Sequence, residues 1–386
     1  MNSHTFSAYD PRDCPSPCYV VDEVAVEHNL NILKTVCDAT GARCLLALKA
    51  FSMFALAPLV RRYLHGTCAS GLHEARLGAE EFGGENHVYC AAFSDADFTE
   101  VKALAHHIVF NSLHQLHRFE PQLRAAGSPS VGLRVNPLHS EGTHALYDPC
   151  APGSRLGIPI TEFDVTPLSS LPVAGLHFHT LCEQGFAPLA RTLDVIETRL
   201  GEVLHELEWI NLGGGHHITQ PGYDLDGLIH RLNALRSQYD VQVYIEPGEA
   251  IAVNTGVLVS SVLDIVHNEM PIAILDTSAT CHMPDTLEMP YRADIFGAAP
   301  ADVKAHTYRL GGQTCLAGDV MGDYSFDQPL TRGQRLMFDD MSHYTMVKTS
   351  TFNGINLPAI AIWNSDLGHT RVVREFGYTD FKTRLS

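Results

Sequence analysis

No two of the ten cysteines stand in a CxxC pair. They fall at positions 14, 18, 37, 44, 68, 90, 150, 182, 281 and 315, several inside apolar runs. That scatter argues against a zinc site and against a disulfide framework, and it fits free thiols in a reducing compartment. No metal is expected. Basic residues are also scarce: 26 Lys and Arg stand against 44 Asp and Glu, for a formal charge of -18. Nucleic acid and anionic membrane both reward basic surfaces, so neither is expected as a partner. A small cationic ligand is compatible with the same balance. No apolar run reaches the length of a transmembrane helix. Residues 1–17 are polar and hold no apolar core of a secretory signal, so a cytoplasmic protein is expected. Neither a low-complexity tract nor a sequence repeat is visible.

Ordinary globular content remains, with 45% apolar and 18% charged residues, in a chain long enough for two domains. A βα rhythm organises most of it. The continuous apolar run Cys44–Leu48 reads as a buried strand closed by Lys49. Further strands are expected near 66–70, 87–91, 107–111, 130–135, 173–179, 209–212 and 241–245. Helices are expected at 23–40, 53–64, 72–81, 95–105, 113–126, 189–207 and 224–239. Eight strands alternating mostly with helices predict a (β/α)8 barrel over residues 25–255. The stretch 137–154, rich in Gly, Pro, His and Asp, interrupts the rhythm and reads as a long surface loop. Strands at 257–266, 271–276, 335–338, 345–347 and 359–363 predict a β-rich domain over 256–386, joined by the strand near Val20 from residues 1–24. The fold class expected is thus α/β, a barrel plus a C-terminal β-rich domain.

In a barrel of this kind, residues at the C-terminal strand ends converge. Here they are Lys49, Ser70, Arg134, His179, Gly213–Gly215 and Glu246. A lysine closing a buried strand is costly to keep charged, so it becomes a nucleophile for a carbonyl. Three glycines after a strand expose N–H groups to a phosphate, or form a flexible turn. Glu246-Pro-Gly248 either holds a protonated ring nitrogen or is simply a turn. His177 and His179 share a face by alternation, as a stacking platform or as core histidines. Cys315 and Asp319 in Gly311–Asp319, and Tyr344 in Asp339–Tyr344, stand in polar stretches that are not core-like.

These motifs, in order along the chain, resemble the fold-type III pyridoxal 5'-phosphate-dependent decarboxylases. That alanine-racemase-like group includes ornithine, arginine and diaminopimelate decarboxylases. The resemblance covers Cys18–Asp22, Ala47-Leu-Lys49-Ala50, His177–Glu183, Leu212–His216, Glu246–Glu249, Thr314–Asp319, Tyr344–Lys348, Phe352–Gly354 and Arg374–Gly377. It implies that Lys49 carries pyridoxal 5'-phosphate covalently and that His179 stacks on its ring. It further implies that Glu246 pairs with the ring nitrogen, and that Gly214, Gly215, Gly248 and Tyr344 cradle the phosphate. Cys315 is the implied proton donor after CO2 leaves, reaching the site from the partner subunit of a homodimer with shared active sites.

One departure bears on substrate. Ornithine and diaminopimelate decarboxylases carry Glu-Pro-Gly-Arg where this chain has Glu246-Pro-Gly-Glu249. A glutamate there favours a cationic far end, with Glu183 and Asp319 as further expected carboxylates. The implied activity is decarboxylation of carboxynorspermidine and carboxyspermidine to norspermidine and spermidine. The alternative is a smaller basic amino acid: diaminopimelate, ornithine or lysine. A racemase would need a tyrosine in place of Cys315, and a silent binding relative would lack Lys49 or Cys315.

Overall fold

The computed structural model describes residues 4–142 and 145–386. Part of the long loop, residues 143–144, lies outside the described residues. Two compact units emerge, Asn29–Ile251 and a second made of the chain up to His28 with Ala252–Ser386.

The first unit is a closed parallel barrel. Its strands are Arg43–Ala47, Gly66–Ala69, Glu85–Tyr89, His107–Phe110, Ser130–Asn136, Gly175–His177, Trp209–Asn211 and Gln242–Ile245. Each pairs in parallel with the next, and the last pairs with the first through Tyr244 and Ile245 opposite Arg43 and Cys44. The eight strands expected from apolar runs are the eight observed. Parallel strands buried on both faces must be apolar throughout, which is why they read so clearly.

Helices start where side chains satisfy free N–H groups. Ser94 accepts from Asp97 N at 3.0 Å and Ser112 from Gln115 N at 3.1 Å; Asp224 accepts from Gly227 N at 2.8 Å. Two helices are shorter than their periodicity suggests. The 53–64 pattern becomes a 3-10 turn and the helix Ala57–Val60, because Pro58 fits only a first turn. The 113–126 pattern stops at Phe119, ahead of a 3-10 turn that begins with Pro121 in its first positions.

The second unit is a nine-stranded mixed sheet. Its spine is Gly256–Asn268, which pairs with Cys18–Asp22, Arg335–Phe338 and Met270–Leu275. A register shift between Val262 and Asp264 separates its buried first half from its largely exposed second half. Cys18–Asp22 also pairs with Ala359–Asn364, so the strand near Val20 does join this sheet. Strands at His306–Gly311, Val320–Phe326 and His369–Arg374 escaped the sequence reading. They mix charged and apolar residues because one or both faces meet solvent. Conversely, the strand expected at 345–347 is absent. Tyr344 takes a φ of 50° and the chain enters a 3-10 turn at Met346–Lys348.

The barrel interior holds an aromatic cluster. His87 and His107 stack with centroids 3.9 Å apart, next to Trp209 and Tyr244. Burial pushes both histidines down to about 3, from an ordinary 6.5. The folded rings therefore hold fewer protons than the unfolded ones at any pH between these values. Stability is full above about 6.5 and falls as pH drops toward 3. Between pH 6.5 and 5 the loss is on the order of 2 kcal/mol per ring. Replacing His107→Phe is expected to lessen the pH 7-to-5 drop in urea stability by about 2 kcal/mol, one ring's share. An unchanged drop contradicts this account.

Candidate active site

The strand Arg43–Ala47 ends two residues before Lys49. Leu48 N still bonds Cys68 O at 3.1 Å, but Ala50 N turns back to Ala47 O at 3.1 Å. Lys49 thus sits in a turn at the barrel's C-terminal mouth rather than on the strand itself. Burial lowers its pKa; Arg134 acts in the same direction, while Cys68, Glu246 and Glu74 oppose it. An amine so placed spends more of its time uncharged, the form that attacks a carbonyl.

Glu246 follows the last barrel strand. Its Oε1 accepts from Asn211 Nδ2 at 2.7 Å, and its Oε2 lies 3.3 Å from His177 Nε2. Burial opposes its ionisation, yet His177 and the hydrogen bond from Asn211 prevail and hold its pKa at about 2. Because Glu246 accepts, His177 carries its proton on Nε2. His177 is itself pushed down by burial, and its Nδ1 is buried with no hydrogen-bond partner among the described residues. Its ring stacks on Tyr89 at 5.6 Å, and the Arg134 guanidinium lies 4.6 Å over Tyr89 on the way to His179 O, 3.0 Å away.

His179 accepts the Gly214 N–H on Nδ1 at 3.0 Å, which fixes its tautomer. Burial, reinforced by Lys49 and Arg134, pushes its pKa well down, so the ring is neutral. The glycine loop is obligatory backbone. Gly215 has φ +83°, and a Cβ on it would stand 1.9 Å from Leu181 O; one on Gly214 would stand 2.2 Å from Glu246 O. Across the mouth, a Cβ on Gly248 would stand 2.6 Å from Ala50 Cβ. The residues fit the expected pyridoxal phosphate: a deprotonatable buried lysine, an ionised buried carboxylate, a neutral ring and a glycine loop with no side chains in the way.

Sequence reasoning named Lys49, His179, Gly214, Gly215, Gly248 and Glu246, and all lie on turns following barrel strands. It missed Asn211, although a single amide inside the apolar strand Trp209–Asn211 was a legible signal. Of the expected substrate carboxylates, Glu183 is exposed with φ 52°, and Glu249 Oε1 lies 3.1 Å from His217 Nε2. Asp319 differs from expectation. Only 4% exposed, it is taken up by Ser278, Thr280 and Thr314, so it builds its own turn. Cys315, in that turn, is exposed, and Tyr344 is half-buried; both belong to the sheet unit. At the barrel's other end, Glu85, His87 and His107 approach within 4.8 Å. Their stacked rings cannot both aim in-plane lone pairs at one ion, and Glu85 is paired with Arg43.

Among known proteins, the family model described as pyridoxal-dependent decarboxylase, C-terminal sheet domain, matches residues 18–342. A carboxyaminopropylagmatine decarboxylase from Synechocystis is 45% identical over 96% of this chain and 95% of its own. A carboxynorspermidine/carboxyspermidine decarboxylase from Campylobacter jejuni is 42% identical over 96% of this chain and 98% of its own. The crystal structure of Campylobacter jejuni carboxynorspermidine decarboxylase with norspermidine superposes with a TM-score of 0.88 at 40% identity, covering 96% of this chain and all of that one.

The glycine loop yields a direct test. Gly222 has φ +86° with open space around it, so Gly222→Ala carries backbone strain alone, about 1 kcal/mol. Gly215→Ala adds a clash with Leu181 and is expected to cost about 2 kcal/mol more in unfolding free energy. Equal losses in the two variants, read by urea titration, would contradict the close approach.

Proposed function

Because the chain belongs to the pyridoxal-dependent decarboxylases, we propose that it decarboxylates carboxynorspermidine and carboxyspermidine to norspermidine and spermidine. The observation that carries this reading is the 42% identity, over 96% of this chain, to the Campylobacter jejuni enzyme of that name. A second reading, an agmatine-derived tail, has support in the 45% identity to the Synechocystis relative. Both readings share an α-amino acid head on a cationic tail.

The roles follow from the chemistry of each group. Bound pyridoxal phosphate supplies an electron sink for the pair left when CO2 departs. Lys49 offers an amine kept partly neutral by burial. Glu246, ionised at physiological pH, stabilises a protonated pyridine nitrogen. His179 offers a neutral flat ring held by the Gly214 N–H, and the N–H groups of Gly215 and Gly248, with Tyr344 and the side-chain-free backbone of Gly214, would receive the phosphate. Glu183 and Glu249 receive tail ammonium groups; Asp319, committed to its turn, does not.

Cys315 donates the proton that replaces CO2, and it does so from the partner subunit of a homodimer. Its exposure supports this, as do the exposed neighbours Leu316 and Phe352, at 47% and 46%. Proton transfer to carbon is best kept from water, so a second copy covering this corner is favoured. We assign the protein to the cytoplasm, where its ten free thiols stay reduced. Among the described residues no helix is long and apolar enough to cross a membrane.

Two experiments test these assignments. Lys49→Ala is expected to abolish borohydride-resistant attachment of pyridoxal phosphate, and attachment at another lysine would refute the assignment. Inactive Lys49→Ala and Cys315→Ala subunits, when mixed, are expected to regain up to about a quarter of parental activity, the statistical yield of intact sites, if sites are shared. No recovery in the mixture argues for sites within one chain.

The substrate is tested by product analysis with carboxynorspermidine, carboxyspermidine, carboxyaminopropylagmatine, diaminopimelate and ornithine. Charge-assisted contacts to the tail lead us to expect at least about tenfold higher kcat/KM for the carboxylated polyamines than for diaminopimelate. Faster turnover of diaminopimelate or ornithine would overturn the reading, and a clear preference for the agmatine derivative would favour the second.

A further inference from the structure

The stretch Gly311–Asp319 forms a turn between the strands His306–Gly311 and Val320–Phe326. Its base is the buried Asp319. That carboxylate accepts from Ser278 Oγ at 2.9 Å on each oxygen, from Thr280 N at 3.2 Å, and from Thr314 N and Oγ1 at 3.2 and 2.7 Å. So many donors compensate an anion that burial would otherwise penalise. The turn leaves no room for slack at Gly312, where a Cβ would stand 2.3 Å from Asp319 Oδ2.

Cys315 follows Thr314 directly. Its N–H donates to Asn353 Oδ1 at 2.7 Å, across 38 residues of sequence. Asn353 sits at φ 57°, ψ 13°, a left-handed conformation that asparagine tolerates better than most residues. Two restraints from separate parts of the sheet unit therefore meet at the cysteine. Asp319 fixes the turn, and Asn353 fixes the cysteine's own backbone.

We infer that Asn353 is a positioning residue, whose side-chain carbonyl sets where the Cys315 thiol presents its proton. The inference rests on the role of Cys315 proposed above. In that step the S–H bond breaks and a C–H bond forms at the carbon that lost CO2, using the electron pair of the broken C–C bond. The thiolate left behind is reprotonated by water. Placement matters because an error near 1 Å costs on the order of a hundredfold in such a step. A turnover whose proton goes elsewhere ends as an aldehyde. Water then supplies the carbonyl oxygen, and the amino nitrogen stays with the cofactor.

Glycine and aspartate at position 353 separate this role from a purely structural one. Asn353→Gly keeps the left-handed backbone without strain and removes the acceptor, while Asn353→Asp keeps an acceptor. Each holoenzyme is scored for the aldehyde-to-amine ratio with carboxynorspermidine and for hydrogen exchange of the peptide containing Cys315. Asn353→Gly is expected to raise both the aldehyde ratio and the Cys315 amide exchange about tenfold, the worth of one hydrogen bond. Asn353→Asp is expected to keep both near the parent. A parental ratio in Asn353→Gly, alongside a raised ratio in Cys315→Ala, overturns the role of Asn353. A parental ratio in Cys315→Ala overturns the proton-donor reading itself, and this inference with it.

Discussion

A carboxylate that stays ionised inside the barrel mouth is the constraint on which the candidate site depends. Taking Glu246 out of water alone would neutralise it, since burying an unpaired charge costs several kcal/mol. The barrel meets this cost with a short hydrogen bond from Asn211 on the adjacent strand and with His177 on the strand beyond it. Parallel pairing makes this possible by bringing three consecutive strand ends to one carboxylate, and closure of the sheet sets the strand leading to Lys49 on its other side. The same closure encloses Lys49 and pushes its pKa down. An anion kept charged and an amine whose charged form is disfavoured stand together in one shared enclosure. They differ because the carboxylate has donors aimed at it and the amine is enclosed mainly by uncompensated burial.

The sheet unit solves a similar problem with Asp319. Here the buried carboxylate builds a turn, and the exposed Cys315 is what the turn displays. Placing the buried charge beneath the reactive residue gives a rigid support, since every displacement of the turn strains several charge-assisted hydrogen bonds at once. Both units thus use a saturated buried acid as an anchor and leave the group with chemistry to do at the end of a short turn. Turns suit that task because they end pairing while neighbouring strands still hold their ends.

The parallel barrel was legible in the sequence because its strands are buried on both faces, and apolar runs such as Cys44–Leu48 have no other stable home. Positions on those strands led directly to Lys49, His179, Glu246 and the glycine loop. A lone amide in an apolar strand marks Asn211 as unusual, but its role lies in the carboxylate it donates to, which only the fold brings near. Sequence marks Asp319 as a candidate ligand of amines, because an acid near a reactive cysteine looks the same there whether it faces solvent or core; the fold buries it within its own turn. The strands His306–Gly311 and His369–Arg374 were hidden by charged residues on their exposed faces.

What the sequence alone determined was the alternation of elements, the motif order that marks the family, and the residue types able to bind a phosphorylated pyridine. Local propensity and motif spacing carry that much, since each depends on near neighbours in the chain. Tertiary structure decided which acids are charged anchors, which tautomer His179 holds, where Lys49 leaves its strand, and that Asn353 meets Cys315. Those outcomes turn on burial and on donors brought from distant segments. A carboxylate's fate depends on its dielectric and its partners, and only the folded chain supplies both.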